Sequence, residues 1–167
     1  MQQNGGDENP ITFFPIGTIH SPFHDIAGMP IQPNGARGER GTVEIADRFA
    51  GGLKDLDGFA RIILIYSFHK CTGHDLHVKP FLDPAHRGIF ATRSPRRPNA
   101  IGLSVVRLVS VNGSTLVVDD VDVLDGTPLL DIKPYVPAFD AYPDSCCGWL
   151  ESVAKNAESV RSDGRFR

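Results

Sequence analysis

Two β-branched runs on either side of Asn112-Gly113 constrain this chain most. Ile101 to Val111 and Ser114 to Val121 are rich in valine and leucine, and Asn-Gly between such runs is a strong hairpin signal. The strongest buried strand lies upstream, from Phe59 to His69, where β-branched and aromatic residues end on polar ones. Further strands are expected over Phe13 to His20, Gly41 to Ala46, Leu76 to Pro80 and Gly88 to Arg93. Asp122 to Pro134 follows the hairpin, with a turn at Asp125-Gly126. Helical signals are few. Asp47 is placed to cap a short helix through Leu53, and Leu150, Val153, Ala154, Ala157 and Val160 have the spacing of one amphipathic helix. Many strands with few helices imply a mainly β fold, either barrel or sandwich.

At 167 residues the chain suits one domain with short tails. Residues 1–10 are expected to be a flexible tail, 11–142 the β domain and 143–167 a helical tail. The longest apolar run, Ile62 to Tyr66, is far too short to span a bilayer. The start of the chain shows no basic segment leading into an apolar one, so no secretion signal is expected. Cys71 and the adjacent pair Cys146-Cys147 do not form a disulfide framework, which points to a reducing cytoplasm. A net charge of −3 argues against nucleic-acid binding over the whole surface, but it permits a local basic patch.

Such a patch lies in GIFATRSPRRPNAIGLSVVRL, from Gly88 to Leu108. Pro95 and Pro98 restrict the backbone around Arg96 and Arg97, which lowers the entropy cost of fixing them. Arg93 falls at the expected end of a strand, and Gly102 allows close approach of a ligand or another backbone. A basic surface turn has the same composition. Asp122, Asp125, Thr127 and Asp131 can bind polar ligands, and an Asp-Gly turn with capping aspartates also explains them. His69, Cys71, His74, His77 and His86 lack the paired spacing of a zinc site, so no metal is expected. Walker, dinucleotide-binding and nucleophile-elbow motifs are absent, and Ser94 and Ser104 show no triad pattern.

FATRSPRRPNAIGLSVVRL followed by LDGTPLLDIKPYVP resembles the β-barrel tRNA N6-adenosine methyltransferases, which use S-adenosyl-L-methionine (SAM). Ser21-Pro22-Phe23, the Gln32-Pro33 loop and Phe68-His69 fit further landmarks in the same order, so the resemblance runs from Phe14 to Tyr142. It implies an antiparallel β-barrel-like single domain with a few short helices, and a homodimer holding SAM near its interface. It implies methyl transfer to N6 of threonylcarbamoyl-adenosine beside the tRNA anticodon. By motif, the cofactor contacts implied are Pro33, Asn34, His69, Lys70, Arg93, Leu103, Asp122, Leu124, Asp125, Gly126 and Thr127. Arg96, Arg97, Lys133 and Tyr135 are assigned to the RNA substrate. No general base is assigned; His69, Asp131 and Tyr135 are candidates. The competing reading is a non-catalytic SAM- or nucleotide-binding regulatory module, and a third is a metalloenzyme built on the histidines.

Overall fold

In the computed structural model, which describes residues 10–166, alternation along the strands separates core from surface. In β3 (Arg61–Ser67) Ile62, Leu64 and Tyr66 point inward. Six strands then close on themselves. In chain order the first three are β1 (Gly17–His20), β2 (Arg40–Ile45) and β3. After two short strands, β4 (His77–Val78) and β5 (Arg87–Gly88), come β6 (Ile101–Asn112), β7 (Thr115–Asp119) and β8 (Thr127–Pro134). The barrel order is β1-β2-β7-β6-β3-β8, with β8 returning to β1, while β4 and β5 pair apart from it. All these pairings are antiparallel. The core fills the barrel interior with Ile19, Val43, Leu64, Val106, Leu116 and Leu129 among others. Closure leaves none of the six strands with an open edge.

The β6–β7 hairpin forms with Asn112 paired to Thr115, so its central residues are Gly113 and Ser114. Gly113 has φ of 61°, the left-handed conformation this two-residue turn demands at its first central position. The register of β3 against β8 shifts between Ile65 and Tyr66. Such irregularities re-aim side chains at barrel rims.

Several expected elements differ. The first strand begins at Gly17 rather than Phe13, and Phe13 and Phe14 are exposed; Pro15 supplies no ladder donor there. The expected strand Gly88 to Arg93 stops at Gly88, and Ile89–Ala91 forms a 3-10 turn. Thr92 closes that turn by bonding the Ile89 carbonyl with both its amide (3.1 Å) and its hydroxyl (2.9 Å). Asp47–Leu53 is a 3-10 helix without a side-chain cap from Asp47. The tail holds two short 3-10 segments, Gly148–Leu150 and Ala154–Glu158, instead of one amphipathic α-helix. It packs on the loops outside the barrel: Ala157 is buried, Phe166 is buried against Val78 and Ile89, and Arg161 forms a β-bridge with Pro30. The expected N-terminal tail lies, apart from Pro10, outside the described residues.

One close approach depends on a glycine. A Cβ on Gly102 would overlap the Tyr66 ring, which crosses directly over it. We predict that Gly102→Ala lowers stability by about 1–3 kcal/mol, the usual cost of overpacking, read from the urea midpoint at unchanged slope. A wild-type midpoint would show that the ring has room to move.

Candidate functional site

The ends of β1 and β3 and the starts of β2, β6 and β8 all open on one rim of the barrel, as their antiparallel registers require. The loops from these strand ends, together with the tail, enclose a cleft of about 970 Å³. Its walls come from six stretches: the loop from Ile26 to Asn34, the end of β3 with the segment after it, Pro80 to Leu82, the basic loop, the start of β6 and the turn from Asp122 to Thr127. The tail adds Trp149, Leu150 and Phe166. A volume of this size suits a cofactor with part of a second ligand beside it.

A hydrogen-bond chain runs from the barrel interior to the cleft wall. The Ser104 hydroxyl donates to Asp122 Oδ1 at 2.6 Å. That commits its proton, so the Tyr66 hydroxyl, 3.0 Å away, donates to Ser104 Oγ. Burial pushes the Asp122 carboxyl up to about 6, against the opposing pull of the Ser104 hydroxyl and the Arg93 charge. Burial also pushes the Tyr66 hydroxyl up, with the Asp122 charge adding to the effect. His69 is pushed down by burial and by neighbouring Lys70. Its Nδ1 lies 3.4 Å from the Thr127 hydroxyl, which donates to the Leu124 carbonyl at 2.7 Å.

Arg93 reaches across the cleft and donates to Gln32 Oε1 at 2.9 Å. Beside it, Ser94 Oγ is buried with no hydrogen-bond partner among the described residues. A buried hydroxyl left unpaired costs free energy until something bonds it. Ser94 is therefore the one orphaned side-chain hydroxyl among the described residues of the cleft wall.

The structure brings most of the expected site residues together. Pro33, Asn34, His69, Lys70, Arg93, Arg97, Leu103, Asp122, Leu124 and Thr127 all line the cleft. Asp125, Gly126, Arg96, Lys133 and Tyr135 do not. Asp125 faces His20 at 3.1 Å and His24 at 3.3 Å and accepts from the Ser21 amide, so it fixes the turn. Gly126, at φ 75°, donates to the Ile19 carbonyl. Arg96 is tied to Asp75 at 2.6 Å and to the Thr72 carbonyl. Lys133 pairs with Asp131 at 2.7 Å on the exposed end of β8. The Tyr135 amide bonds Arg61, at the opposite end of β3 from the cleft. Among the described residues no three His, Cys, Asp or Glu side chains gather as a metal site. Sequence reasoning gave no site role to Tyr66 or Trp149, set Ser94 and Ser104 aside for want of a triad pattern, and used Gln32 only as a landmark. Ser104 carried a usable signal, since it falls on the inward face of β6 between Gly102 and Val106.

A closed six-stranded antiparallel barrel with a cofactor-sized cleft on its rim defines a small barrel binding domain, unrelated in architecture to parallel doubly wound nucleotide folds. The chain belongs to the family of the tRNA-methyltransferase O N-terminal domain, whose profile matches residues 18–141. It is 52% identical over 156 residues to a probable S-adenosyl-L-methionine-binding protein of Pyrococcus abyssi, covering 93% of this chain and 85% of that one. It is 39% identical over 136 residues to the mouse tRNA (adenine(37)-N6)-methyltransferase, covering 76% of this chain and 31% of that one. The crystal structure of TrmO from Pseudomonas aeruginosa superposes with a TM-score of 0.71 at 38% identity, covering 84% of this chain and 62% of that one. The chain thus spans most of the archaeal relative, but less than two thirds of the Pseudomonas structure and under a third of the mouse enzyme.

The Asp122 environment has a consequence for stability. Its folded value lies above the ordinary carboxyl value of 3.8, so it favours folding when protonated. That contribution is complete below about pH 4 and is lost as pH rises through about 6. Asp122→Asn keeps an acceptor for Ser104 without the charge. We predict that the variant gains on wild type between about pH 4 and 6, levelling off at about 2–3 kcal/mol, measured by urea unfolding across pH. A constant difference at every pH would refute it.

Proposed function

We propose that this protein transfers the methyl group of SAM to N6 of an adenosine in tRNA, the acceptor being threonylcarbamoyl-adenosine beside the anticodon. The observation that carries this reading is the convergence of Arg93 and Asp122 on one cleft, in a chain of the tRNA-methyltransferase O family. These groups fit SAM. The Arg93 guanidinium matches its carboxylate, and Phe68, Leu103 and Leu124 give an apolar wall for adenine. When bound, SAM supplies an electrophilic methyl group on its sulfonium.

The chain's own residues then position groups and handle one proton. The N6 lone pair of a carbamoylated adenosine is spread over the ring and the carbamoyl group, so loss of its N–H proton aids attack. Asp122 is the carboxylate at the cleft wall that can take that proton on an Oδ atom. With a value of about 6 it is mostly ionised at neutral pH. Ser104, backed by Tyr66, holds it in place. The walls formed by Ile31, Phe81 and Leu150 exclude water.

The protein acts as a homodimer in the cytoplasm on this reading. Ile101 and Leu103 are 40% and 50% exposed beside the cleft, an apolar pair suited to a partner subunit. The three cysteines are free, as a reducing compartment would keep them. Among the described residues no helix is long and apolar enough to cross a membrane. A regulatory module that binds SAM without catalysis is the second reading, favoured by the archaeal relative being described by SAM binding alone.

Incubating the protein with labelled SAM and tRNA from a strain lacking the modification separates the two readings. Label in adenosine supports transfer, and SAM binding without label supports the module. Arg93→Ala should weaken SAM binding in calorimetry by about tenfold or more with an unchanged unfolding midpoint, since it removes a charge-assisted contact. Unaltered affinity would place the carboxylate elsewhere. Asp122→Asn should cut kcat by about 10²–10⁴ and remove the rise in rate through about pH 6 that wild type shows. Retention of that rise would acquit Asp122.

A further inference from the structure

One part of the cleft is not explained by cofactor binding. Phe90 is 76% exposed on the 3-10 turn of the basic loop, and its ring lies under the Arg97 guanidinium at 5.8 Å. Arg97 is not a loose surface cation. Its Nη1 donates to the carbonyls of Thr92 (2.8 Å) and Ile89 (3.3 Å), which fixes the plane over the ring. On the same loop the Ala91 carbonyl accepts from the Trp149 indole N–H at 2.8 Å, and Arg87 lies 5.5 Å over the indole ring. Arg87 is held in turn by Asp83. Two ring–arginine pairs, Phe90 with Arg97 and Trp149 with Arg87, are thus joined through Ala91 into one ledge. Phe90, Ala91, Arg97 and Trp149 all border the cleft.

Interleaved aromatic rings and arginines bind unpaired nucleotides. Bases stack on the rings, guanidinium groups neutralise the backbone, and a paired duplex offers no free base face. We infer that the Phe90–Arg97–Trp149–Arg87 ledge is a stacking platform for unpaired bases of an RNA loop, next to the base that enters the cleft. This rests on the tRNA methyltransferase reading and adds to it where the loop is held and by what chemistry. It also assigns a binding role to Trp149, which lies beyond the matched residues 18–141.

Trp149 is the chain's single tryptophan, so its fluorescence reports this ledge alone. The probe is a short RNA hairpin with a purine-rich loop, titrated against a fully paired RNA duplex of equal length. The hairpin should quench Trp149 and the duplex should not. Phe90→Leu should weaken hairpin binding about tenfold or more, and Phe90→Tyr should restore it, because only the tyrosine keeps a ring. Equal quenching by duplex and hairpin, or wild-type binding by the leucine variant, would overturn the platform. So would a change in oligomeric state of Phe90→Leu in light scattering, which would make the ledge a subunit contact. Methyl transfer is assayed in parallel on tRNA from a strain lacking the methylation, which carries the proposed threonylcarbamoyl-adenosine acceptor. Transfer by wild type with a silent Trp149 removes the platform and leaves the proposed function standing. Hairpin-specific quenching without transfer removes the enzyme reading and keeps the platform as an RNA site.

Discussion

The hydroxyl of Ser104 is where barrel and cleft meet. It accepts from a tyrosine inside the barrel and donates to a carboxylate at the rim, so a single proton arrangement runs from one to the other. The arrangement requires β3 and β6 in one register, with Tyr66 opposite Gly102 and Ser104 two residues further on. It also requires a residue without a side chain at position 102, because the ring lies there. A one-residue slip would turn Ser104 outward and leave the Tyr66 hydroxyl buried without an acceptor. Closing the barrel and building the site are therefore the same event in this chain.

Charge is sorted by the same geometry. At the rim near β2 and β7, the buried carboxylate of Asp119 accepts from Arg40 at 2.8 Å and also from Arg107, and both arginines hold it well below the usual carboxylate range. Asp122, three residues later, has no direct arginine bond and moves the other way. Burial acts on both. The difference is whether a guanidinium reaches the carboxylate, and that separates a structural aspartate from one that can trade protons near neutrality.

The hairpin and β3 were legible in the sequence because alternation and a turn dipeptide are local signals. The cleft was half legible. Arg93 and Asp122 could be singled out by type and by their loops, but Tyr66 and Ser104 gain meaning only through a pairing between strands some 40 residues apart. Arg96 and Arg97 illustrate the limit: adjacent, chemically identical, and held by different partners. Asp75, far off in sequence, takes Arg96, while the loop's own carbonyls turn Arg97 to the cleft. The spacing from Leu150 to Val160 did read as helical, yet the segment forms short 3-10 turns, and the chain just beyond it is held by Arg161 to Pro30 and by Ser162 to Met29.

The path of residues 148–166 along the cleft has a wider meaning. Trp149 is pinned to Ala91, the Ser162 amide to Met29, and Phe166 packs with Val78 and Ile89. None of these bonds reaches the barrel interior. This segment can therefore diverge among relatives without disturbing how the barrel folds, and each change would reshape the mouth of the cleft. Folding and selectivity are written in separable parts of the chain, so a new ligand preference can arise while the barrel itself stays fixed.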